Sequence, residues 1–387
     1  MTSTERKFTS IEICAGAGGQ AVGLHDAMFK HLALIEIDSS ACATLRKNVK
    51  GNKEWEGCRV IEDDLTKLPP KKLRLELGLE PGDLDLLAGG VPCPPFSVAG
   101  KRLGQEDERD LFPTMLDLIE ELRPKAVMIE NVRGLLHQKL QDYRENVILK
   151  RLKSMGYVKC YWKILEAKDY GVPQLRPRAI LVAMKKEYAD HFLWEEPTKR
   201  PLVTVGKALE KTMRERFDAV DDPRSDATYK NWLDDASKDV APTLVGGSKK
   251  HGGADLGPTR AKKAWEELGV CGLGVANEPN DLADKERDLF AAAGPKLTVS
   301  QAAIIQGFPP EWKFEGRKTA AYRQVGNAFP PPVAQAVGGQ IFAALEAGME
   351  AADAKRDSAP IGIPEQSTPA EAPIDDRCSD LEGAGVR

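Results

Sequence analysis

Short apolar runs alternate with longer stretches of helical periodicity through the first half of the chain. The runs are short enough to be buried strands, and most are followed by a segment whose apolar residues recur with helical spacing. Such alternation is typical of βαβ units, so we predict an α/β fold with a doubly wound, mostly parallel sheet. The predicted strands are 8–14, 32–36, 58–61, 83–88, 125–130, 158–166 and 178–184, and the predicted helices are 20–29, 39–49, 111–123 and 144–155.

The pattern changes after about Leu193. Residues 221–280 are rich in Asp, Lys, Gly and turn residues, which predicts a separate, irregular domain. A regular pattern returns at 296 and includes a predicted helix over 330–347. The final segment, 350–387, is rich in Ala, Pro, Ser and acidic residues, and we expect it to be disordered.

Length and cysteine content narrow the class of protein. With 387 residues the chain has room for one large domain and a smaller one. No apolar stretch is long enough to span a bilayer, and Met1–Lys7 has no signal-peptide pattern. Seven cysteines at irregular spacing, without a CxxC pair, argue against a disulfide framework or a zinc site, so we expect a reduced, cytoplasmic compartment. We therefore expect no metal.

The charge is unevenly distributed along the chain. The formal net charge is −4, but residues 350–387 alone carry −5, which leaves +1 for residues 1–349. A nearly neutral body can bind a polyanion only through local clusters of basic residues. Candidate basic positions, each of which is otherwise an ordinary solvated side chain, are Lys199, Arg200, Lys207, Lys249, Lys250, Arg260, Lys262 and Lys263.

Cys93 lies in the stiff loop GVPCPPFS, residues 90–97, directly after the apolar run 83–88. Prolines on both sides fix the backbone, and loops at strand ends are where open α/β sheets place their chemistry. A thiol presented there is a candidate nucleophile, because the accessible thiolate is the reactive form. The alternative is a packed cysteine in a Pro-rich turn.

Three further segments accompany this loop. A Gly-rich turn, 14–20, follows the first strand, and glycines there allow the backbone to approach a ligand. Glu130 ends a second apolar strand, although it could simply cap a helix. Arg176 and Arg178 are spaced i, i+2, which in extended chain directs both guanidinium groups to one side, suited to phosphate or carbonyl oxygens.

In this order, these segments resemble the DNA (cytosine-5) methyltransferase family. The resemblance continues in 297–309 and 322–330, which are similar to the family's last two motifs, and it covers residues 8–186 and 296–345. It implies the fold of S-adenosylmethionine-dependent methyltransferases. It also implies sequence-specific methyl transfer to C5 of a cytosine in duplex DNA, as in bacterial restriction-modification systems.

The resemblance assigns roles to the catalytic candidates. Cys93 would add to C6 of the base, Glu130 would protonate or hydrogen-bond N3, and Arg178 would contact O2 and the carboxylate. Arg176 would contact a backbone phosphate. Asn131 would orient the loop that carries Cys93, or would simply cap a turn.

The resemblance also predicts how S-adenosylmethionine is bound. Glu36 would hold the ribose and Asp64 would meet the adenine. Cys14 departs from the family pattern, which usually has an aromatic residue there; it could be a second accessible thiol or a small core residue. The Gly-rich turn with Glu36 also resembles a dinucleotide-binding turn, but its spacing is not GxGxxG. The predicted cofactor-binding residues are Cys14, Ala15, Gly16, Gly18, Gly19, Glu36, Ile37, Asp64, Leu65, Pro92, Asn327 and Ala328.

Double-stranded DNA is the partner that the resemblance implies. A base inside a duplex must be flipped out, and Ser97–Leu111 is predicted to close over it as a mobile loop. Sequence recognition is expected in 193–295, whose Gly-rich, basic loops resemble those of bacterial enzymes that act on palindromes containing CG. The predicted DNA-binding residues are Ser97, Lys101, Arg102, Gln174, Lys249, Lys250, Arg260, Lys262 and Lys263.

These assignments divide the chain into four parts. Residues 1–192 would form the first part of the catalytic domain, 193–295 the target-recognition domain, 296–349 the returning catalytic motifs, and 350–387 the acidic tail. We expect a monomer, with a cognate restriction endonuclease encoded nearby.

Two other functions are compatible with the sequence. A tRNA cytosine-5 methyltransferase would be expected to have a smaller variable region than the roughly 100 residues here. A non-catalytic DNA-binding regulator on the same fold would tend to have lost Cys93 or Glu130, and both are present.

Overall fold

A computed structural model describes residues 8–92, 110–197, 201–246, 253–278 and 284–357, apart from the side chains of Lys159 and Cys160. Within these residues one sheet has the strand order β3-β2-β1-β4-β5-β7-β6. All neighbours are parallel except β7, which runs antiparallel between β5 and β6. This confirms the predicted doubly wound, mostly parallel sheet. The strands are β1 (Phe8–Ile13), β2 (Phe29–Glu36), β3 (Arg59–Glu62), β4 (Leu86–Gly89), β5 (Ala126–Val132), β6 (Tyr157–Glu166) and β7 (Pro177–Lys185).

Helices connect the strands, and further helices follow the last strand, β7, along the chain. The first ends at Asp26, not at 29 as predicted, because Met28 has a left-handed φ of 72° and Phe29 already belongs to β2. The predicted helix 144–155 begins as a π-helix, Tyr143–Leu149. The α-helices are α1 (Gly19–Asp26), α2 (Ser39–Val49), α3 (Pro70–Glu76), α4 (Phe112–Leu122), α5 (Lys150–Ser154), α6 (Lys186–Ala189), α7 (Val205–Asp218), α8 (Ser225–Ala236), α9 (Thr259–Glu266), α10 (Lys285–Asp288), α11 (Val299–Gln306), α12 (Lys318–Asn327) and α13 (Pro331–Asp357).

Helices cover both faces of the sheet, and the side chains of each strand alternate between the two faces. On one face Ile11 and Ile13 pack with α3, α4 and α5. On the other face Phe8 and Phe29 pack with α1 and α13. The central strands are therefore apolar on both sides, which is why they appear in the sequence as continuous apolar runs.

The segment after Leu193 is more helical than predicted. Apolar residues recur every four positions in α7, from Val205 to Phe217, and this face packs with Trp232 of α8 and Trp265 of α9. Helix α9 also lies within 193–295, for which Gly-rich, basic loops were predicted. The irregular sequence pattern therefore did not predict these three helices, which share one buried cluster.

The chain divides into a unit that ends at Met349 and a second unit, 350–387. Of the second unit, residues 350–357 are described, and they are helical. The prediction of disorder is wrong for these eight residues, whose alanines favour a helix. Among the described residues, no helix is long and apolar enough to cross a membrane.

Candidate active site

A cavity of about 430 Å³ lies where the strand order reverses between β1 and β4. Such reversal points are where open α/β sheets bind ligands, because the loops that leave neighbouring strands diverge there. The turn after β1, the ends of β2, β4 and β5, and helix α12 all contribute to its wall.

Nearly all of the predicted cofactor positions line this cavity. The exception is Gly18, which precedes α1 with a φ of 88° and is not part of the wall. The positions that line it are Cys14, Ala15, Gly16, Gly19, Glu36, Ile37, Asp64, Leu65, Pro92, Asn327 and Ala328.

Hydrogen bonds fix the two carboxylates that were assigned to the nucleoside. Glu36 accepts the amides of Gly16 at 2.7 Å, Ile37 at 2.9 Å and Asp38 at 2.8 Å. Asp64 accepts the hydroxyl of Thr66 at 2.7 Å and its amide at 3.0 Å, and these bonds lower the pKa of Asp64. Both carboxylates are therefore held in one orientation at the cavity.

The polar wall residues that were not predicted include one on β1 and one on α1. Glu12 of β1 and Gln20 of α1 are only 1% and 4% exposed. Neither Glu12 Oε2 nor the side-chain amide of Gln20 has a hydrogen-bond partner among the described residues. Burial raises the pKa of Glu12 well above its usual value. A glutamate inside the apolar strand IEI was the available signal, because buried polar groups normally have partners.

The cavity is acidic, and this determines which ligand suits it. Among the described residues of the wall, the one basic side chain is Arg323, and the acidic ones are Glu12, Glu36, Asp38, Asp63, Asp64 and Glu130. A cationic ligand with a sulfonium and an ammonium group fits this wall, whereas the pyrophosphate of a dinucleotide would be repelled. The residues present therefore fit S-adenosylmethionine better than a nicotinamide cofactor. No group of three or more His, Cys, Asp or Glu side chains placed to hold a metal ion occurs in the described part of the chain.

Glu130 in this wall forms an ion pair with Arg178. They lie diagonally across the β5–β7 ladder, in which Val132 is opposite Arg178, so both side chains are on one face. Arg178 Nε lies 2.8 Å from Glu130 Oε1. Burial raises the pKa of Glu130, although Arg178 and Arg176 oppose the rise. Glu130 can thus carry a proton at a higher pH than an ordinary carboxyl.

Asn131 connects this strand to the end of the β4 segment. It is 5% exposed, and its Nδ2 donates to the carbonyl of Val91 at 2.8 Å. Its Oδ1 accepts the amide of Val132 at 2.8 Å. The amide is therefore tied to the chain two residues before Cys93. Cys93 itself lies outside the described residues.

Arg176 and Gln174 are not where a DNA contact requires them. Arg176 is 1% exposed, and its guanidinium donates to three backbone carbonyls. Gln174 is fully buried and bonds to Ile305 and Gln306. The predicted phosphate contact of Arg176 and the predicted DNA contact of Gln174 are both wrong, because neither side chain reaches the surface.

The basic recognition candidates are partly accessible. Arg260 and Lys263 are exposed on α9, while Lys262 pairs with Asp255 at 2.7 Å. Lys207 is exposed on α7. The predicted closing loop Ser97–Leu111 falls outside the described residues up to Arg109, and so do Ser97, Lys101, Arg102, Lys199, Arg200, Lys249 and Lys250.

Cys14 does not offer a second reactive thiol. It lines the cavity with a left-handed φ of 51°, and burial raises its pKa to about 12. The group stays protonated at neutral pH, so it contributes volume and not nucleophilicity.

The mostly parallel sheet with an acidic cavity at its reversal point is the architecture of the S-adenosylmethionine-dependent methyltransferase fold. The chain belongs to the family of C-5 cytosine-specific DNA methylases, whose family model matches residues 8–343.

Known proteins resemble the chain both in sequence and in fold. It is 50% identical to the Type II methyltransferase M.NaeI of Lentzea aerocolonigenes over 90% of this chain and 78% of that protein. It is 48% identical to the Type II methyltransferase M.NgoMIV of Neisseria gonorrhoeae over 88% and 99%. The solved structure of Spodoptera frugiperda DNMT2 has the same fold, with a TM-score of 0.57, 15% identity, and 87% and 100% of the two chains covered.

Proposed function

We propose that this protein methylates C5 of a flipped-out cytosine in a specific sequence of duplex DNA, with S-adenosylmethionine as methyl donor. The observation that carries the proposal is the buried ion pair between Glu130 and Arg178. Glu130 lines the acidic cavity, and so does Pro92, the neighbour of Cys93. Membership of the C-5 cytosine-specific DNA methylase family supports the same chemistry.

The cofactor would be held by residues of the cavity wall. Glu36 would accept the ribose hydroxyls and Asp64 the adenine amino group, while Ile37, which is 65% exposed, offers an apolar surface to the ring. Glu12 would accept a hydrogen bond from the ammonium group of the cofactor's amino-acid end, which would also satisfy its unpartnered oxygen. When bound, S-adenosylmethionine supplies an electrophilic methyl group on its sulfonium.

The chain's own groups prepare the cytosine. The Cys93 thiolate adds to C6, which raises electron density at C5. Negative charge moves towards N3 and O2, where Glu130 supplies a proton or hydrogen bond and Arg178 supplies positive charge. After C5 gains the methyl group, water as base accepts the C5 proton and the electron pair of that bond restores the C5–C6 double bond. The C6–sulfur bond breaks at the same time, which frees the Cys93 thiolate and yields 5-methylcytosine.

Target recognition would come from 193–295, which lies between the two blocks of catalytic motifs. Exposed Arg260 and Lys263 on α9 are suited to phosphate or base contacts. The Type II names of the relatives support a cognate restriction endonuclease encoded nearby. We further propose that the protein acts as a monomer on DNA in the cytoplasm.

Methyl incorporation tests the proposal. The purified chain is incubated with radiolabelled S-adenosylmethionine and either duplexes containing CG palindromes, genomic DNA or bulk tRNA, with Cys93→Ser as control. We expect label in duplex DNA at one sequence, mapped by sequencing of methylated cytosines. Label in tRNA and not in DNA would favour the tRNA-methylating alternative, and cofactor binding without label in any substrate would favour a regulator.

A further inference from the structure

Arg176 joins two distant parts of the chain in the interior. Its Nη1 donates to the carbonyl of Leu244 at 2.6 Å. Its Nη2 donates to the carbonyls of Gly326 and Ala328, each at 2.9 Å. Burial lowers the pKa of Arg176 to about 9, so the guanidinium remains charged at neutral pH. A charged fork with three carbonyl partners is a strong and directional link.

One side of this link is the segment 241–246, which leads towards the basic residues Lys249 and Lys250. It is fixed to 173–175 by two backbone bonds, Ala241 N–H to Pro173 at 2.9 Å and Leu175 N–H to Ala241 at 2.8 Å. The Leu244 amide also donates to Gln174 Oε1 at 2.9 Å. The segment 241–246 therefore cannot shift without breaking its hydrogen bonds to 173–175, the residues directly before Arg176.

The other side of the link is the wall of the cofactor cavity. Asn327 and Ala328 line that cavity. The buried Gln174 bonds to Gln306 at 2.8 Å, and Gln306 in turn donates to the carbonyl of Ala328. The same polar cluster thus holds both the segment 241–246 and the cavity wall.

The two sides also meet directly through a pair of glycines. A Cβ on Gly326 would lie 2.6 Å from the Gly246 nitrogen, and one on Gly246 would lie 2.1 Å from Asn327 Oδ1. Only glycine allows this backbone-to-backbone approach. A shift of Gly246 towards DNA would therefore also displace Asn327.

We propose that Arg176 is a positioning residue that couples target recognition to cofactor binding. It holds 241–246 and 326–328 as one unit, so that target DNA and cofactor each favour the same arrangement. By linkage, DNA that raises cofactor affinity is itself bound more tightly in the presence of cofactor. The inference depends on the proposed function, because it takes the cavity as the cofactor site and 193–295 as the recognition region.

Binding of S-adenosylhomocysteine with and without duplex tests the coupling without any turnover. The duplex carries the methylated sequence mapped in the incorporation assay, and a scrambled duplex serves as reference. For the wild type we expect affinity for S-adenosylhomocysteine to rise by ~5–150-fold with target duplex, the usual range of such coupling. In Arg176→Lys, which cannot span three carbonyls, we expect the rise to fall below about twofold.

Arg216→Lys is the matched control. Arg216 is also buried, at 2% exposure, and donates to Lys296, Asp288 and Gln301, so its hydrogen bonds among the described residues lie away from 326–328. This variant should lose a comparable amount of stability and keep the coupling. If Arg176→Lys does not fold, Gly246→Ala probes the same contact from the other side and should also abolish the coupling.

Three outcomes would overturn the inference. They are a wild type without coupling, a folded Arg176→Lys and Gly246→Ala that retain it, and an Arg216→Lys that loses it equally. In each case methyl incorporation by the wild type would still uphold the proposed function, and its absence would refute that function separately.

Discussion

Replacing Glu12 with Gln should stabilise the protein without cofactor and weaken cofactor binding. Glu12 is 1% exposed, its Oε2 lacks a hydrogen-bond partner among the described residues, and burial followed by repulsion from Glu36 raises its pKa. A raised carboxyl pKa contributes stability that is present below the ordinary value of about 4.5 and lost as pH rises through the raised pKa. The Gln variant has no such loss.

The expected magnitude follows from the unpaired charge. Leaving a buried polar group unsatisfied costs about 1–3 kcal/mol, and more when it is charged. Each unit of pKa displacement corresponds to ~1.4 kcal/mol. We therefore expect Glu12→Gln to gain roughly 1–3 kcal/mol at pH 8 and almost nothing at pH 4, and each kcal/mol should raise Tm by about 1–2 °C in a chain of this length. Loss of a charged acceptor should weaken S-adenosylhomocysteine binding by ~10–100-fold.

Thermal and urea unfolding of the cofactor-free protein between pH 4 and 8 measure the gain, and calorimetric titration measures the affinity. Glu56→Gln, at an exposed carboxyl, is the control and should show neither effect. A gain that does not depend on pH would refute the argument that ionisation of Glu12 opposes folding. Unchanged S-adenosylhomocysteine affinity would remove Glu12 from the cofactor site.

Further predictions concern the reaction and the division of the chain. Cys93→Ser should bind DNA and cofactor but lose turnover; a rate above about a tenth of wild type, only ~1.4 kcal/mol of barrier, would remove Cys93 from the chemistry. Glu130→Gln should lower kcat by ~10²–10⁴-fold with little change in duplex affinity, and wild-type activity should fall as pH rises through the raised pKa of Glu130; an equal loss of folded protein would instead indicate a structural cap. Exchanging 193–295 for the same region of a relative should move the methylated sequence, mapped by sequencing, while the reaction stays the same; an unmoved sequence contradicts the division. Deleting 358–387 should leave rate and sequence unchanged and slightly tighten non-specific DNA binding, measured by salt-dependent gel shift.

The sequence by itself determined the sheet and most of the cavity. All seven described strands were predicted to within a few residues, because strands covered on both faces appear as continuous apolar runs. The Gly-rich turn and Glu36 could be assigned to the cavity wall because short motifs at strand ends keep their spacing in space. Helices α7 and α8 were not predicted, although apolar residues recur every four positions from Val205 to Phe217. The many turn residues in the following segment favoured a prediction of irregular structure instead.

Only the tertiary structure decided which polar side chains face inward. The spacing of Arg176 and Arg178 suggested a shared outward side, yet Arg176 bonds to carbonyls 68 and 150 residues away in sequence. Glu12 was one polar position in an apolar strand until the cavity formed beside it. A local sequence pattern predicts on which face of a helix or strand a side chain lies, but not which residue it contacts. The contacting residues belong to distant segments that only folding brings together.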